Sequence, residues 1–521
     1  MKRTQPNPLA AFFSAGGGQS VALAAGAGGS VSVWTEIAPH YAACLRLDNS
    51  NAGTRLSWRE TLVMELRNIY PVGDFTLAGA WSQLQSSGSG LSGSYTGNRA
   101  VSTASLTATV TVTVDRAATY DLWVHFTGRT GGGYCRVEID GAQTLVNEID
   151  DPAELGFKAF STYAAIDLQR RQSVKVASGL LGSHDITLRS GGAASPGGNA
   201  IMIEALAISG ALSDPRILPS MWQPGTAYQT GDEVQYGGIY YAARADGTSG
   251  ATPPGHTGGI GSDGALDWRA DNRSTYPRFV SMDYASEREY AARCIVDGAA
   301  TELGGQTHGN EVVQSRIITL DGNPWVPDVT GNGLSLGAQI GVTEATIWQH
   351  ETGGAIADCQ LTRTVTPGAV RHEVTVTGTA VQASFDWLYA GMVPMVRWDG
   401  EAANTVVDTV AVADATSVSL ADYAGASGVS LDYPGARQIG ISATFDGATL
   451  RYGHEAGPLP VFGNLVNQFD TFLRPNLDAA SASGSLDWKA KAYVKGGAAG
   501  GLVLGAGDVL GFFSRHVLRI D

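Results

Sequence analysis

The sequence predicts an all-β, multi-domain protein: a jelly-roll sandwich, a small aromatic β module and a large C-terminal β-sandwich. Three observations predict it. Runs such as SLTATVTVTV (Ser105–Val114) alternate apolar and hydroxyl side chains with the period of two of a half-buried strand. Glycine supplies 68 of 521 residues and charged residues only 16%, which suits short strands joined by tight turns and not helical bundles or disorder. The strand-like runs also follow one another without helical segments between them, which argues against βαβ units.

The length is too great for one hydrophobic core, so several domains are expected. A net charge of −15 argues against binding nucleic acid through its phosphates. Cys44, Cys135, Cys294 and Cys359 form no C-x-x-C pair and read as four reduced, buried thiols, with a Cys294–Cys359 bridge as the weaker alternative. Pro8 and Gly16–Gly18 interrupt the apolar patch Leu9–Phe13, making a poor signal-peptide core, and no run reaches the length of a membrane span. Export by host lysis, and no membrane insertion, are the corresponding expectations.

Residues 1–74 begin with a Gly/Ala-rich segment, then an apparent strand around Trp34. Ser57–Tyr70 has mixed spacing that permits strand or short helix. This region reads as an N-terminal arm or docking segment.

Residues 75–212 read as clean β. After Ser105–Val114 come ATYDLWVHF, then YCRVEIDGAQTLV with an Asp140-Gly141 hairpin turn, then QSVKVASGL, GSHDITLRSGG and AIMIEALAIS. On Tyr120, Trp123, Asp140-Gly141 and the Gly182-Ser183-His184 turn, this order of strands resembles the jelly-roll carbohydrate-binding modules of bacterial glycoside hydrolases. The resemblance implies a sandwich that binds sugar through loop aromatics, for which Trp81, Tyr95, Tyr134, Phe160 and Tyr163 are the candidates. A sugar ring stacks its C–H face on an aromatic ring, so an exposed aromatic is what the chemistry needs. His184, on a turn into a strand, reads as structural.

A two-proline linker over 213–220 leads into a module over 219–272. It holds Trp222, Tyr228, Tyr236, Tyr240, Tyr241 and Trp268 but few long aliphatic side chains, so aromatics must supply its core. The pattern Trp222…Gly225-Thr226-Ala227-Tyr228…Gly231-Asp232-x-Val234-x-Tyr236-x-Gly238-x-x-Tyr241-x-Ala243…Trp268 resembles the small chitin-binding modules of bacterial chitinases. That family's exposed aromatics follow the position of Ala243, where this chain has Arg244-Ala245-Asp246-Gly247; Tyr240 is the one extra aromatic candidate for sugar contact. A rigid spacer is the competing reading.

Residues 276–521 return to long β patterns and read as the large C-terminal β-sandwich, distantly resembling the supersandwich domains of sugar epimerases and polysaccharide lyases. Within it, Gly304–Glu311 (GGQTHGNE) resembles the G-G-x-H-G-N-E segment of zinc carboxypeptidases and aspartoacylases, which implies His308 and Glu311 as zinc ligands, with His350, His372 or His454 as a third. The following residues read as a strand, where those enzymes have a helix. The same residues, with the pairs His350/Glu351 and His372/Glu373, are alternatively acid and base in a sugar groove. The leading reading is a tight glycine loop held by His308 and Glu311. No nucleophile elbow, P-loop or dinucleotide fingerprint is present, so no cofactor is expected.

Two functions follow as expectations. One is a virion structural and adhesion protein, such as a phage tail fibre, tail-tip or head-spike component. It would contact host surface polysaccharide, join other virion proteins through its N-terminal region and assemble as a homo-oligomer. The other is a secreted carbohydrate-active hydrolase or lyase with binding modules ahead of a catalytic C-terminal domain.

Overall fold

The all-β expectation holds. In a computed structural model, the regular elements of the described residues are all β-strands. The description covers most of residues 18–520. The longer segments outside it are 50–54, 85–98, 103–106, 115–119, 144–158, 164–170, 193–197, 211–219, 272–278, 284–288, 305–309, 396–405, 413–417, 420–430, 460–468, 476–487 and 495–502. Trp81, Tyr95, His308 and the side chain of Tyr240 therefore lie outside the described residues. The chain divides into two compact units.

The first unit comprises Met1–Met64, Phe279–Asp328 and Gly333–Asp521. Its largest element is a ten-stranded sheet in which Glu311–Leu320, Ile340–Gln349, Ala355–Thr366, Ala369–Gly378, Val509–Ile520 and Ala448–Pro458 are successive neighbours. Every second residue of Ile340–Gln349 and of Ala369–Gly378 is buried, the period expected of a sheet covered on one face. Two further sheets supply cover. A six-stranded sheet contributes Val21, Leu23, Val33, Leu45, Leu47, Leu56 and Trp58 to a core with Ile340, Val342, Val365 and Val370. A seven-stranded sheet contributes Ala292, Cys294, Leu303, Phe385 and Leu388 to a core with Trp348, Leu361, Val374, Val376 and Phe512.

This arrangement corrects the expectation of an N-terminal arm. Val21–Ala25, Val31–Ala38, Tyr41–Asn49 and Leu56–Glu65 are four neighbours of the six-stranded sheet, which Phe279–Asp283 and Ser335–Gly337 complete from far along the sequence. The cause is burial: a sheet whose inward side chains include Leu45, Leu47 and Trp58 must be covered, and its partners lie hundreds of residues downstream. The ambiguous Ser57–Tyr70 run resolves into two strands, Leu56–Glu65 and Arg67–Pro71, the second of which belongs to the other unit. All four cysteines are free and buried.

The second unit comprises Glu65–Arg278 and Val329–Asn332. Two sheets of six strands each form a sandwich around Leu122, Val124, Phe126, Val137, Ile186, Leu188, Ile203, Leu206 and Ile208. Thr107–Val114 buries Ala108, Val110 and Val112 and turns its threonines outward, as its alternation predicts. The hairpin at Asp140-Gly141 is also as predicted: Ile139 pairs with Ala142, and both turn residues have positive φ (51° and 77°), the geometry of a type I′ turn. Asp297-Gly298 and Asp321-Gly322 repeat the device in the first unit.

The small module is a five-stranded sheet that includes Glu233–Tyr236, Ile239–Ala243 and Asp267–Asp271. Its core is Trp222, Val234, Tyr241, Ala243, Leu266, Trp268 and Ala270, with Tyr228 and Ile239 packed on it, so aromatics do supply most of the volume.

Candidate functional site

The described residues among those that the sequence offers as sugar contacts or catalysts fall in three places. The first is one end of the sandwich. Tyr134 opens the strand Tyr134–Ile139, whose burial alternates so that Cys135 and Val137 enter the core while Tyr134 stays half-exposed. Tyr134 lies directly opposite Ser161, and Tyr163 follows two residues later, also half-exposed. The intervening Thr162 is buried, and its hydroxyl donates to the carbonyl oxygens of Gly133 (2.8 Å) and Ala200 (3.2 Å). A Cβ on Gly132 would stand 2.1 Å from the Thr162 carbonyl oxygen, so only glycine permits this approach. Two of the five predicted aromatics are thus brought together on a hydrogen-bonded glycine turn.

Phe160 is a correction. It is 4% exposed and packs its ring 5.1 Å from that of Phe126, because the alternation that frees Ser161 turns Phe160 inward. His184 is structural, as expected. Its Nδ1 lies 2.8 Å from Asp140 Oδ2 and its Nε2 2.9 Å from the Leu181 carbonyl oxygen. Both nitrogens face acceptors, so the hydrogen bond that His184 donates to Asp140 raises the His184 pKa and the same contact lowers that of Asp140.

The second place is the small module. Asp263 is its organiser: Oδ2 accepts from Trp268 Nε1 (2.8 Å) and Trp222 Nε1 (3.3 Å), while Oδ1 accepts from the backbone N–H of Leu266 (2.8 Å) and Ala265 (3.0 Å). Burial pushes the Asp263 carboxyl up, but these donors outweigh it and hold its pKa below the ordinary value. At the position of the chitin-binding family's aromatics, Arg244, Ala245 and Asp246 are exposed, and Asp246 Oδ1 accepts from the N–H and hydroxyl of Thr230. Among the described residues of this module, the exposed large hydrophobic side chains are Tyr236 (39%) and Ile260 (60%).

The third place is a polar seam inside the first unit. Along the inner face of the ten-stranded sheet, Ile340 and Val342 belong to one core and Trp348 to the other, with Glu344 between them. Val365 and Leu361 flank Arg363 in the same way, and Val370 and Val374 flank His372. The buried polar residues therefore run across the strands between the two apolar clusters.

Arg55 Nε donates to Glu311 Oε2 at 2.9 Å, and the guanidinium lies 4.7 Å over the Tyr290 ring. The Tyr290 hydroxyl donates to Glu311 Oε1. Glu289 accepts from Arg363 Nη2 and from the Trp58 N–H (2.7 Å); Glu344 accepts from Arg316 Nε (2.7 Å) and the Leu56 N–H (3.0 Å). Arg363 Nε donates to His372 Nε2 (3.2 Å), which leaves His372 Nδ1 to donate to Ser514 Oγ (3.3 Å). His516 meets the Tyr452 hydroxyl at 2.6 Å and the His454 ring at 4.7 Å.

Ionisation follows burial and pairing. Burial raises the Glu289 carboxyl, but Arg363 and Arg55 overcome it and hold the pKa at about 2. Burial, with Arg363 adding to it, drives His372 well below its ordinary value, and burial alone takes His454 to about 3. His372 and His454 are neutral, and three arginines, Arg55, Arg316 and Arg363, face three glutamates, Glu289, Glu311 and Glu344.

These facts correct the acid–base and zinc expectations for Glu311. Among the described residues its carboxylate is buried and engaged by Arg55 and Tyr290, which is the setting of an internal ion pair and not of an open metal ligand or groove acid. His372 and His454 are likewise interior, and His350 is nearly so. Glu373 is on the opposite face of the sheet, paired with Arg371 at 2.8 Å. Among the described residues no group of three or more His, Cys, Asp and Glu side chains is placed to hold a metal ion. The partners Arg55, Glu289 and Arg363 were missed in sequence because nothing local marks which charge will be buried: Arg55 lies in a small polar stretch and Glu289 in the charged run Glu287-Arg288-Glu289, and an arginine inside LTRTVT is the one local signal.

No protein-family model and no curated protein matches the chain. Among solved structures, the Podospora anserina GH26-CBM35 β-(1,4)-mannanase is 15% identical over 30% of this chain, at a TM-score of 0.20. The chain spans 30% of that mannanase. The CBM36-1 domain of a multidomain xylanase from the hindgut metagenome of Trinervitermes trinervoides is 14% identical, with 28% of this chain and 98% of that domain covered, at a TM-score of 0.19. The galactosidase domain of the α-galactosidase-sucrose kinase AgaSK is 10% identical, with 57% and 42% covered, at a TM-score of 0.28. TM-scores this low establish no shared fold, and no function is drawn from them.

Proposed function

We propose that this chain is a carbohydrate-binding β protein that contacts polysaccharide through the Tyr134–Tyr163 end of its sandwich. The observation that carries the reading is the juxtaposition of two half-exposed tyrosines on one strand pairing, Tyr134 opposite Ser161, fixed by buried Thr162 and the close packing of Gly132. An aromatic pair held rigid loses little conformational freedom when a pyranose stacks on it.

In its finer form the reading places the chain on a virion, as a tail-fibre, tail-tip or head-spike component that contacts host surface polysaccharide. Its support is the string of β modules and the net charge of −15. A hydrolase or lyase built on Glu311 and His372 is disfavoured, because both groups are interior and engaged.

The test is retention of the full chain on immobilised cell-surface polysaccharide. Tyr134→Ala/Tyr163→Ala is expected to abolish retention by this end while leaving the melting temperature in place. Unchanged retention would sink the assignment of the surface. Immunogold labelling of particles against culture fluid decides between virion display and secretion.

A further inference from the structure

The outer face of the seven-stranded sheet carries an aromatic platform that no part of the preceding reading uses. The central strand Ala383–Met395 has two register shifts, at Asp386 against Ala291–Val296 and at Ala390 against Trp488–Val494. Each inserts one residue into the pairing, and the two β-bulges bracket Trp387–Tyr389. Without the first, the alternation from buried Phe385 would turn Trp387 inward. With it, Phe385 and Leu388 both enter the core, and Asp386 and Trp387 are delivered to the outer side.

There Trp387 is half-buried and stacks on buried Tyr389, with ring centroids 5.5 Å apart and planes only 12° from parallel. Arg293, directly opposite Trp387 in the pairing, reaches Asp386 at 3.5 Å; these two side chains are 44% and 40% exposed. A rigid indole face thus stands beside one exposed acceptor and one exposed donor.

We infer that Trp387, Asp386 and Arg293 form a second carbohydrate subsite, which takes one neutral pyranose ring of a polysaccharide. The ring's C–H face lies on the indole. Neighbouring hydroxyls, each both donor and acceptor, donate a hydrogen bond to the Asp386 carboxylate and accept one from the Arg293 guanidinium. The inference rests on the carbohydrate-binding reading and places a site in the other compact unit, so one chain holds two independent contacts with a repeating polymer.

Affinity electrophoresis of the full chain through gels holding dextran, xylan, mannan or purified bacterial O-polysaccharide tests it. The wild type is retarded by at least one polymer. With the sandwich contact removed by Tyr134→Ala/Tyr163→Ala, the residual retardation falls about tenfold or more in affinity on adding Trp387→Ala, and severalfold on adding Asp386→Asn or Arg293→Gln. The last two alter exposed side chains and guard against a folding artefact in Trp387→Ala. Wild-type affinity in Trp387→Ala or in Asp386→Asn overturns this subsite and leaves the sandwich surface standing. Retardation lost entirely in the two-tyrosine variant also overturns it. No retardation of the wild type by any polymer overturns both readings.

Discussion

Arg363 and His372 face each other directly across two neighbouring strands, and the arginine Nε donates to the histidine Nε2 at 3.2 Å in a fully buried setting. A guanidinium cannot give up its proton, so this contact requires His372 to be neutral, and the whole seam inherits that constraint. Arg363 also binds Glu289, which binds the Trp58 backbone from the six-stranded sheet. One polar chain therefore ties the residue just ahead of Ala291–Val296, a strand of the seven-stranded sheet, to both other sheets.

Breaking that chain by removing one member leaves a buried, uncompensated charge. Glu289→Gln or Arg363→Met is expected to cost about 3–5 kcal/mol in urea unfolding of the first unit. The double variant Glu289→Met/Arg363→Met should cost less than the sum of the two. Additive losses would show that the two side chains are not coupled.

The seam also sets a direction for pH. The folded pKa of His454, about 3, lies below the unfolded value near 6.5, so the unfolded chain takes up the proton first and stability falls as pH drops from 6.5 towards 3. His372 acts in the same direction. Glu289, held at about 2 against an ordinary 4.5, adds stability that is complete above 4.5 and lost as pH falls towards 2. Denaturant midpoints are expected to decline steadily below pH 6.5, with His454→Phe reducing the slope between pH 6 and 4.

At His184 the sign is reversed. Its folded pKa is raised by Asp140, so the stabilisation is full below the ordinary 6.5 and disappears as pH rises through the folded value. NMR titration of the His184 ring should give a pKa above 6.5 that returns towards it in Asp140→Asn. An unshifted ring in the wild type would refute the pairing.

Core and surface aromatics at the sandwich end are separable. Phe160→Ala should cost about 3–5 kcal/mol, whereas Tyr163→Ala should stay within about 1 kcal/mol. Equal losses would mean that Tyr163 is a packing residue.

In the small module, Asp263→Ala strands two indole N–H groups and two backbone donors. A loss of about 2–4 kcal/mol is expected for this many hydrogen bonds to a charged acceptor. A red shift of the Trp222 and Trp268 fluorescence at lower denaturant than in the wild type is the readout.

Much of this molecule was legible in order along the chain. Alternation alone placed Thr107–Val114 and its outward threonines, and Asp140-Gly141 announced its hairpin, because strand period and turn chemistry depend only on neighbouring residues. The aromatic core of the small module followed from composition in the same way. What tertiary structure alone decided are the meetings of distant residues. The strands Val21–Ala25, Val31–Ala38, Tyr41–Asn49 and Leu56–Glu65 became part of a sheet closed by Ser335–Gly337, not an arm, because apolar faces choose their cover by complementarity and not by sequence distance. Glu311 carried the look of a catalyst in its local motif and became the partner of Arg55, 256 residues away. Charge pairing inside a core is set by which sheets meet, and no local pattern records that.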